Sequence, residues 1–311
     1  MTKYRKTFPN STLLNEELEG YWFYSNYYRQ LPNVTTISES SHYIDYEDIS
    51  SDKNTTLFSL LRNSDTNIDM RSFFLDMSQI ARTYGKYSHV IAGGTKKFYA
   101  QRIDRLRSNE IAKLYEKFQG QIGNQLTVNS HSFHMQTDVL NQIVGFTDSI
   151  DMTYVIPSQG DLHDMNIFQN GYIVDFEAAG WNRLSTDLAT FIHHIIVGGN
   201  YFGPKYAKWA EAMKLPPINQ VKNIGSNTVQ LELSAARKSL IKDYMRYYIG
   251  ELNPGTVSTL DREFSYMLAL RLLTVFDVTK MTQEDLEIIF ILMNYFVSEE
   301  TLDKKLARLV A

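Results

Sequence analysis

The chain has 311 residues, 43% hydrophobic and 21% charged, with a net charge of -4 at pH 7 and no cysteine. The missing cysteines exclude disulfides, thiolate metal centres and cysteine nucleophiles, and the mildly acidic balance offers no footprint for nucleic acid. The basic N-terminus, MTKYRKTFPNS, lacks the apolar core of a signal peptide, and no run approaches the roughly 18 uncharged apolar residues of a membrane span. A cytoplasmic protein is expected, with neither nucleic acid nor membrane as partner.

Lys3–Phe8 alternates loosely and stops at Pro9, like a short edge strand. Asn10, Ser11 and Thr12 are N-cap candidates for a helix over about Leu13–Gln30, whose apolar face carries Leu14, Glu17, Tyr21, Tyr24 and Tyr28. Glu17 thus lies within an apolar stripe, where a carboxylate needs a cationic partner. Val34–Ser38 and Ser41–Tyr46 read as two antiparallel strands, and the acidic link after them sets a boundary between residues 1–48 and 49–311.

From Thr56 onward helical periodicity dominates: Leu57–Arg62, Met70–Gly85, Thr95–Phe118, Thr137–Gly145, Asp187–Val197, Gly203–Met213, Leu231–Ile249, Leu260–Thr279 and Gln283–Val297. The expected class is α+β, a small strand-containing lobe followed by a large helical one.

The helical part is interrupted at Gly160–Glu177, GDLHDMNIFQNGYIVDFE. Asp161 opens a polar loop, Ile167-Phe168 begins a strand, Asn170-Gly171 makes a hairpin turn, and Tyr172-Ile173-Val174 returns to place Asp175 beside the loop. Asp161 is suited to act as a base or to orient a substrate. Asn166 and Asp175 are hard oxygen donors of the kind Mg²⁺ takes when it also holds phosphates.

This stretch resembles the aminoglycoside phosphotransferase and choline kinase group, which shares the protein-kinase-like fold. The resemblance rests on Gly160-Asp161-Leu162-His163 with Asn166, on Val174-Asp175-Phe176-Glu177, and on Thr186-Asp187-Leu188-Ala189. Gln159 stands where the group usually has His, and Asp164 where Pro is common. The resemblance implies a two-lobed fold with Asp161 as catalytic aspartate and with Asn166 and Asp175 holding Mg²⁺ on the phosphates of ATP or GTP. His163 would brace the loop, and Asp187 would bond its backbone.

It further implies a strand lysine paired with a helix glutamate: Lys6 with Glu17, with Lys3 or Arg5 as alternatives because a one-residue slip changes the face. His42–Asp48 would be the hinge that takes the adenine, with Tyr43, Asp45 and Tyr46 as its nucleotide-binding residues. Only two residues precede Lys3, so a glycine hairpin over the phosphates is not expected and the small lobe reads as truncated. Nucleotide would then meet a more open cleft, or a partner chain or second copy would complete the lobe.

The acceptor would be a small molecule with a hydroxyl, such as an aminoglycoside, choline, ethanolamine, a sugar or an amino alcohol. Asp148, Asp151, Glu177, Trp181 and Trp209 are candidate walls for a cation. The competing expectation is a kinase-like module without catalysis, serving as scaffold or binding surface. His193 and His194, in an apolar helix, read as packed residues.

Overall fold

We describe a computed structural model of the chain over residues 2–50, 54–63, 68–88, 102–107, 109–148, 152–199, 202–206, 214, 220–225, 227–298 and 300–311. It is a mixed α+β structure with small sheets. None of its described helices is long and apolar enough to cross a membrane.

β1 (Lys3–Thr7), β2 (Val34–Ser38) and β3 (Tyr43–Glu47) form an antiparallel sheet in the order β1-β3-β2, with Lys6 opposite Ile44. Between β1 and β2 runs α1 (Ser11–Tyr24), capped by the Asn10 side chain, which accepts from the Leu13 amide at 3.0 Å. The helix ends six residues before the expected Gln30. There the Asn26 amide donates to the Trp22 and Phe23 carbonyls, satisfying oxygens the last turn leaves open.

Gly20 fixes the seat of α1. A Cβ at this position would stand 1.9 Å from the Phe176 carbonyl oxygen, so only glycine lets the helix backbone lie this close to the hairpin.

The larger part packs helix on helix. α6 (Leu184–Val197) is buried at every residue and packs against α8 (Pro254–Thr274), which also contacts α9 (Gln283–Val297). Continuous burial fits the apolar residues on every side of α6, and it also takes Asp187, His193 and His194 into the interior. Around this pair lie α2 (Leu57–Asn63), α3 (Arg71–Tyr84), α4 (Asn109–Gln121), α5 (Val139–Asp148), α7 (Ala235–Tyr247) and α10 (Leu302–Val310). Pro254 begins α8, a position where its missing N–H is harmless.

Two sheets were absent from the sequence expectations. β5 (Gln125–Val128), β6 (His131–His134), β9 (Val221–Gly225) and β10 (Thr228–Leu231) form one, with β5 and β10 parallel. The other joins β4 (Lys86–Ser88), β7 (Thr153–Ser158) and β8 (Gly180–Arg183). The helix expected at Thr95–Phe118 is described from residue 102: residues 102–106 are helical and α4 follows. Of Gly203–Met213, Pro204–Tyr206 is a short 3-10 turn and residues 207–213 lie outside the described residues.

Candidate functional site

The fully buried strand β7 ends at Ser158 and delivers the loop that starts at Gln159. Gly160 adopts a φ of 89°, and a Cβ there would stand 2.1 Å from the Ala178 carbonyl oxygen. Asn182 on β8 donates to the Ala178 carbonyl at 3.0 Å and to the Ser158 hydroxyl at 3.2 Å. Gln159 joins the two halves of the hairpin: its Oε1 accepts from the Asp161 amide at 2.9 Å, while its Nε2 donates to the Val174 and Asp175 carbonyls. The Gln159 side chain is thus the clasp between Asp161 and Asp175.

The hairpin closes through the Phe168 amide on the Tyr172 carbonyl and the Gly171 amide on the Phe168 carbonyl, both at 2.9 Å. Its loop is Gln169-Asn170-Gly171 with Gly171 left-handed (φ 86°), a three-residue turn rather than a two-residue Asn-Gly turn. The Val174 amide then donates to the Asn166 carbonyl at 3.0 Å, which places the two candidate metal-binding segments side by side. The Asn166 amide nitrogen donates to the Asp161 carbonyl at 3.1 Å, leaving Oδ1 as the amide's acceptor. Asp175 is held at a φ of 68°, a conformation unusual for a non-glycine residue and typical of constrained sites.

Lys6 projects from β1 to the same place. Its ammonium lies 2.9 Å from Glu17 Oε2 and 2.5 Å from Asp175 Oδ1. Glu17 is fully buried and is also bonded by the Tyr46 hydroxyl at 2.8 Å and the Phe176 amide at 2.9 Å. Burial opposes the lysine's charge, but Asp175 and Glu17 together raise its pKa above the usual value. Lys3 and Arg5 point to the other face, Lys3 to Thr36 and Arg5 to Asp45 at 2.7 Å, so strand alternation leaves Lys6 as the cation inside.

The same alternation separates the residues expected at a hinge. Asp45 pairs with Arg5, and Tyr43 lies under the Arg5 guanidinium at 3.7 Å; neither lines the cavity, whereas Tyr46, Glu47, Asp48, Ile49 and Ser50 do. The segment that meets the cavity thus begins at Tyr46 and runs just beyond β3.

Lys6, Glu17, Tyr46, Asp161, His163, Asn166, Asp175 and Glu177 share one cavity of about 790 Å³. Burial and then Asp175 push the Glu177 carboxyl up, against the pull of Lys6. That wall carries negative charge which a cation would relieve, and its hard oxygens suit Mg²⁺. Of the other wall candidates, Trp181 faces Phe23 and Tyr27 under the Lys86 ammonium (4.0 Å), away from the cavity. Asp151 and Trp209, and the Asp148 side chain, lie outside the described residues.

Asp161 lies between His163 (Nε2 at 3.6 Å) and Arg271 (Nη1 at 3.7 Å). Burial would raise its pKa, but His163, Arg271 and Arg102 hold the carboxyl below its usual range. Behind it, His194 meets Asp164 at 3.1 Å and stacks on His163, ring centroids 4.7 Å apart at 13°. Burial takes His194 down to about 4, so the neutral ring donates its Nδ1 proton to an ionised Asp164. These three residues have donor atoms within 4.8 Å of one another. Parallel stacking and the Met165 amide on His163 Nδ1 (3.2 Å) nevertheless make the trio a brace rather than a chelate.

Asp187 does not bond the loop backbone among the described residues. Its carboxyl meets the Ser158 side chain while Oδ1 is without a hydrogen bond. Arg271 and Asn182 carried no expectation from the sequence, and Gln159 and Asp164 stood out there only as departures without a role. For Arg271 a signal existed: one cation inside the apolar run MLALRLLTVF calls for a buried partner.

The sequence matches no protein-family model, and no curated protein matches it.

Proposed function

We propose that this protein is a small-molecule kinase with a protein-kinase-like arrangement, transferring the γ-phosphoryl group of ATP or GTP to a hydroxyl. On this reading residues 1–48 form the nucleotide lobe and residues 49–311 the lobe carrying the catalytic loop and acceptor site. One observation carries it: Asp161, Asn166 and Asp175 open on the same cavity as the Lys6–Glu17 ion pair. Phosphoryl transfer asks mainly for positioning and for neutralised phosphate charge, which is what this set of side chains is suited to supply.

Asn166 and Asp175 would hold Mg²⁺, which when bound neutralises charge on the phosphates. Lys6, kept charged and aimed by Glu17, would meet the phosphates from the strand side. Tyr46 holds Glu17, and the segment Glu47–Ser50 would flank the base. Asp161 would orient the acceptor hydroxyl and take its proton. The hydroxyl oxygen bonds to the γ-phosphorus, the bond from that phosphorus to the β–γ bridging oxygen breaks, and the diphosphate leaves with that oxygen.

Titration calorimetry with ATP and GTP, each with and without Mg²⁺, tests this reading. Magnesium-dependent binding is expected. Absence of binding at millimolar nucleotide would favour a binding module without catalysis, or a site completed by a second chain.

A further inference from the structure

Arg271 is a charge the reaction outlined above leaves unused. It sits on α8 with its side chain 95% shielded from solvent (5% exposed), lines the cavity, and has no hydrogen bond at Nε. Among the described residues its carboxylate partner is Asp161, at 3.7 Å, too long for the two parallel bonds a guanidinium fork makes with a carboxylate. Arg102 lines the same cavity and also acts on Asp161. A buried guanidinium without a close acceptor is expensive to maintain. It also opposes the chemistry, because a neighbouring cation weakens Asp161 as a proton acceptor.

Both difficulties end if an anion enters beside Asp161. The oxyanion would pair with the Arg271 guanidinium, and its charge would offset the guanidinium's effect on the aspartate. A cationic acceptor would be repelled at the same place. On the kinase reading the carboxylates of Asp175 and Glu177 serve the metal and phosphates, while Arg271 stands beside Asp161.

Resting on the kinase reading, we infer that Arg271 selects an acceptor bearing an oxyanion, a carboxylate or phosphate, next to the hydroxyl that is phosphorylated. The acceptor is thus a hydroxy acid or a phosphorylated polyol rather than an amino alcohol or aminoglycoside.

Binding of a matched series tests this without requiring turnover. Glycerol, ethanolamine, glycerate and glycerol 3-phosphate are titrated into the wild-type chain, Arg271→Gln and Arg271→Lys, with ATP·Mg²⁺ affinity measured in parallel. The anionic compounds are expected to bind ~10-fold or more tightly than glycerol, with the advantage lost in Arg271→Gln and partly kept in Arg271→Lys. The carboxylate and phosphate arms show which oxyanion is taken.

Equal or better binding of glycerol or ethanolamine, or an anion preference indifferent to Arg271→Gln, overturns the inference. So does the absence of any Arg271-dependent binding across the series. An Arg271-dependent preference without any ATP·Mg²⁺ binding would retire the kinase reading and leave the anion site standing. If Arg271 only props Asp161, kcat falls alike for every acceptor and the charge preference does not move. Arg271→Lys separates that outcome from a folding defect in Arg271→Gln.

Discussion

Lys6 and Asp175 lie 169 positions apart in the chain and meet with Nζ 2.5 Å from Oδ1, while the same ammonium reaches Glu17 at 2.9 Å. One cation therefore balances two carboxylates, of which Glu17 is wholly buried. Lys6→Met keeps the stem and removes the charge, leaving Glu17 with two hydrogen bonds and no counter-ion. Urea unfolding should record a loss of ~3 kcal/mol, partly recovered when Glu17→Gln is added. A variant as stable as the wild type would show that Glu17 does not depend on this lysine.

Asp161→Asn preserves shape and removes the proton acceptor. Nucleotide affinity should stay unchanged while kcat falls by ~10²–10⁴. Retained turnover would take Asp161 out of the role assigned to it.

Asp175→Asn is a clean test of the metal assignment, because asparagine tolerates the left-handed backbone found at this position. The Mg²⁺-dependent part of nucleotide affinity should drop roughly tenfold or more, ~1.4 kcal/mol. Binding without Mg²⁺ should not weaken, since the substitution frees Lys6. Unchanged magnesium dependence would place the metal elsewhere.

Asp187 sets a pH dependence of stability. Burial pushes its carboxyl up to about 7 from an ordinary 3.8, with Asp161 adding to the rise and Ser158 and Arg271 opposing it. Tyr24, Tyr244 and Tyr248 are the other titratable groups facing it. The folded state prefers the protonated form, so this contribution is complete below pH 3.8 and is lost as pH rises through about 7. Asp187→Asn should flatten the fall of Tm across that window and raise Tm at pH 8 by ~2 °C or more relative to its effect at pH 4. Parallel Tm–pH curves for the two proteins would refute the assignment.

Local features of the site were legible in the sequence. The hairpin could be read because turn chemistry and apolar alternation agreed, and Glu17's need of a cation because a carboxylate in an apolar stripe demands one; Lys6 as that cation was implied only by the resemblance, which left Lys3 and Arg5 open. Tyr43 and Asp45 lie off the cavity for a definite reason: order along the chain gives no face, and strand alternation turned both toward Arg5. Arg271 was hidden differently, since helical periodicity says that a residue is buried but not what stands opposite, here a loop more than a hundred positions earlier. The sheet of β5, β6, β9 and β10 escaped because its strands have four or five residues and its parallel pair joins distant segments. Too little alternation exists in such strands to outvote the helical signal around them.

The close seat of α1 on the hairpin has a kinetic meaning. The Gly20 backbone rests against Phe176, the Tyr28 hydroxyl donates to the Gly171 carbonyl at 2.6 Å, and the Ile173 amide donates to the Gln30 carbonyl at 3.1 Å. Parting the walls on either side of Asp175 would break these bonds together. The cleft is therefore expected to act as a fixed socket rather than a jaw, which a ligand would enter by exchanging solvent and swinging side chains. Association in such a socket should follow a single phase, linear in ligand concentration, without the saturating closure step that hinged walls impose.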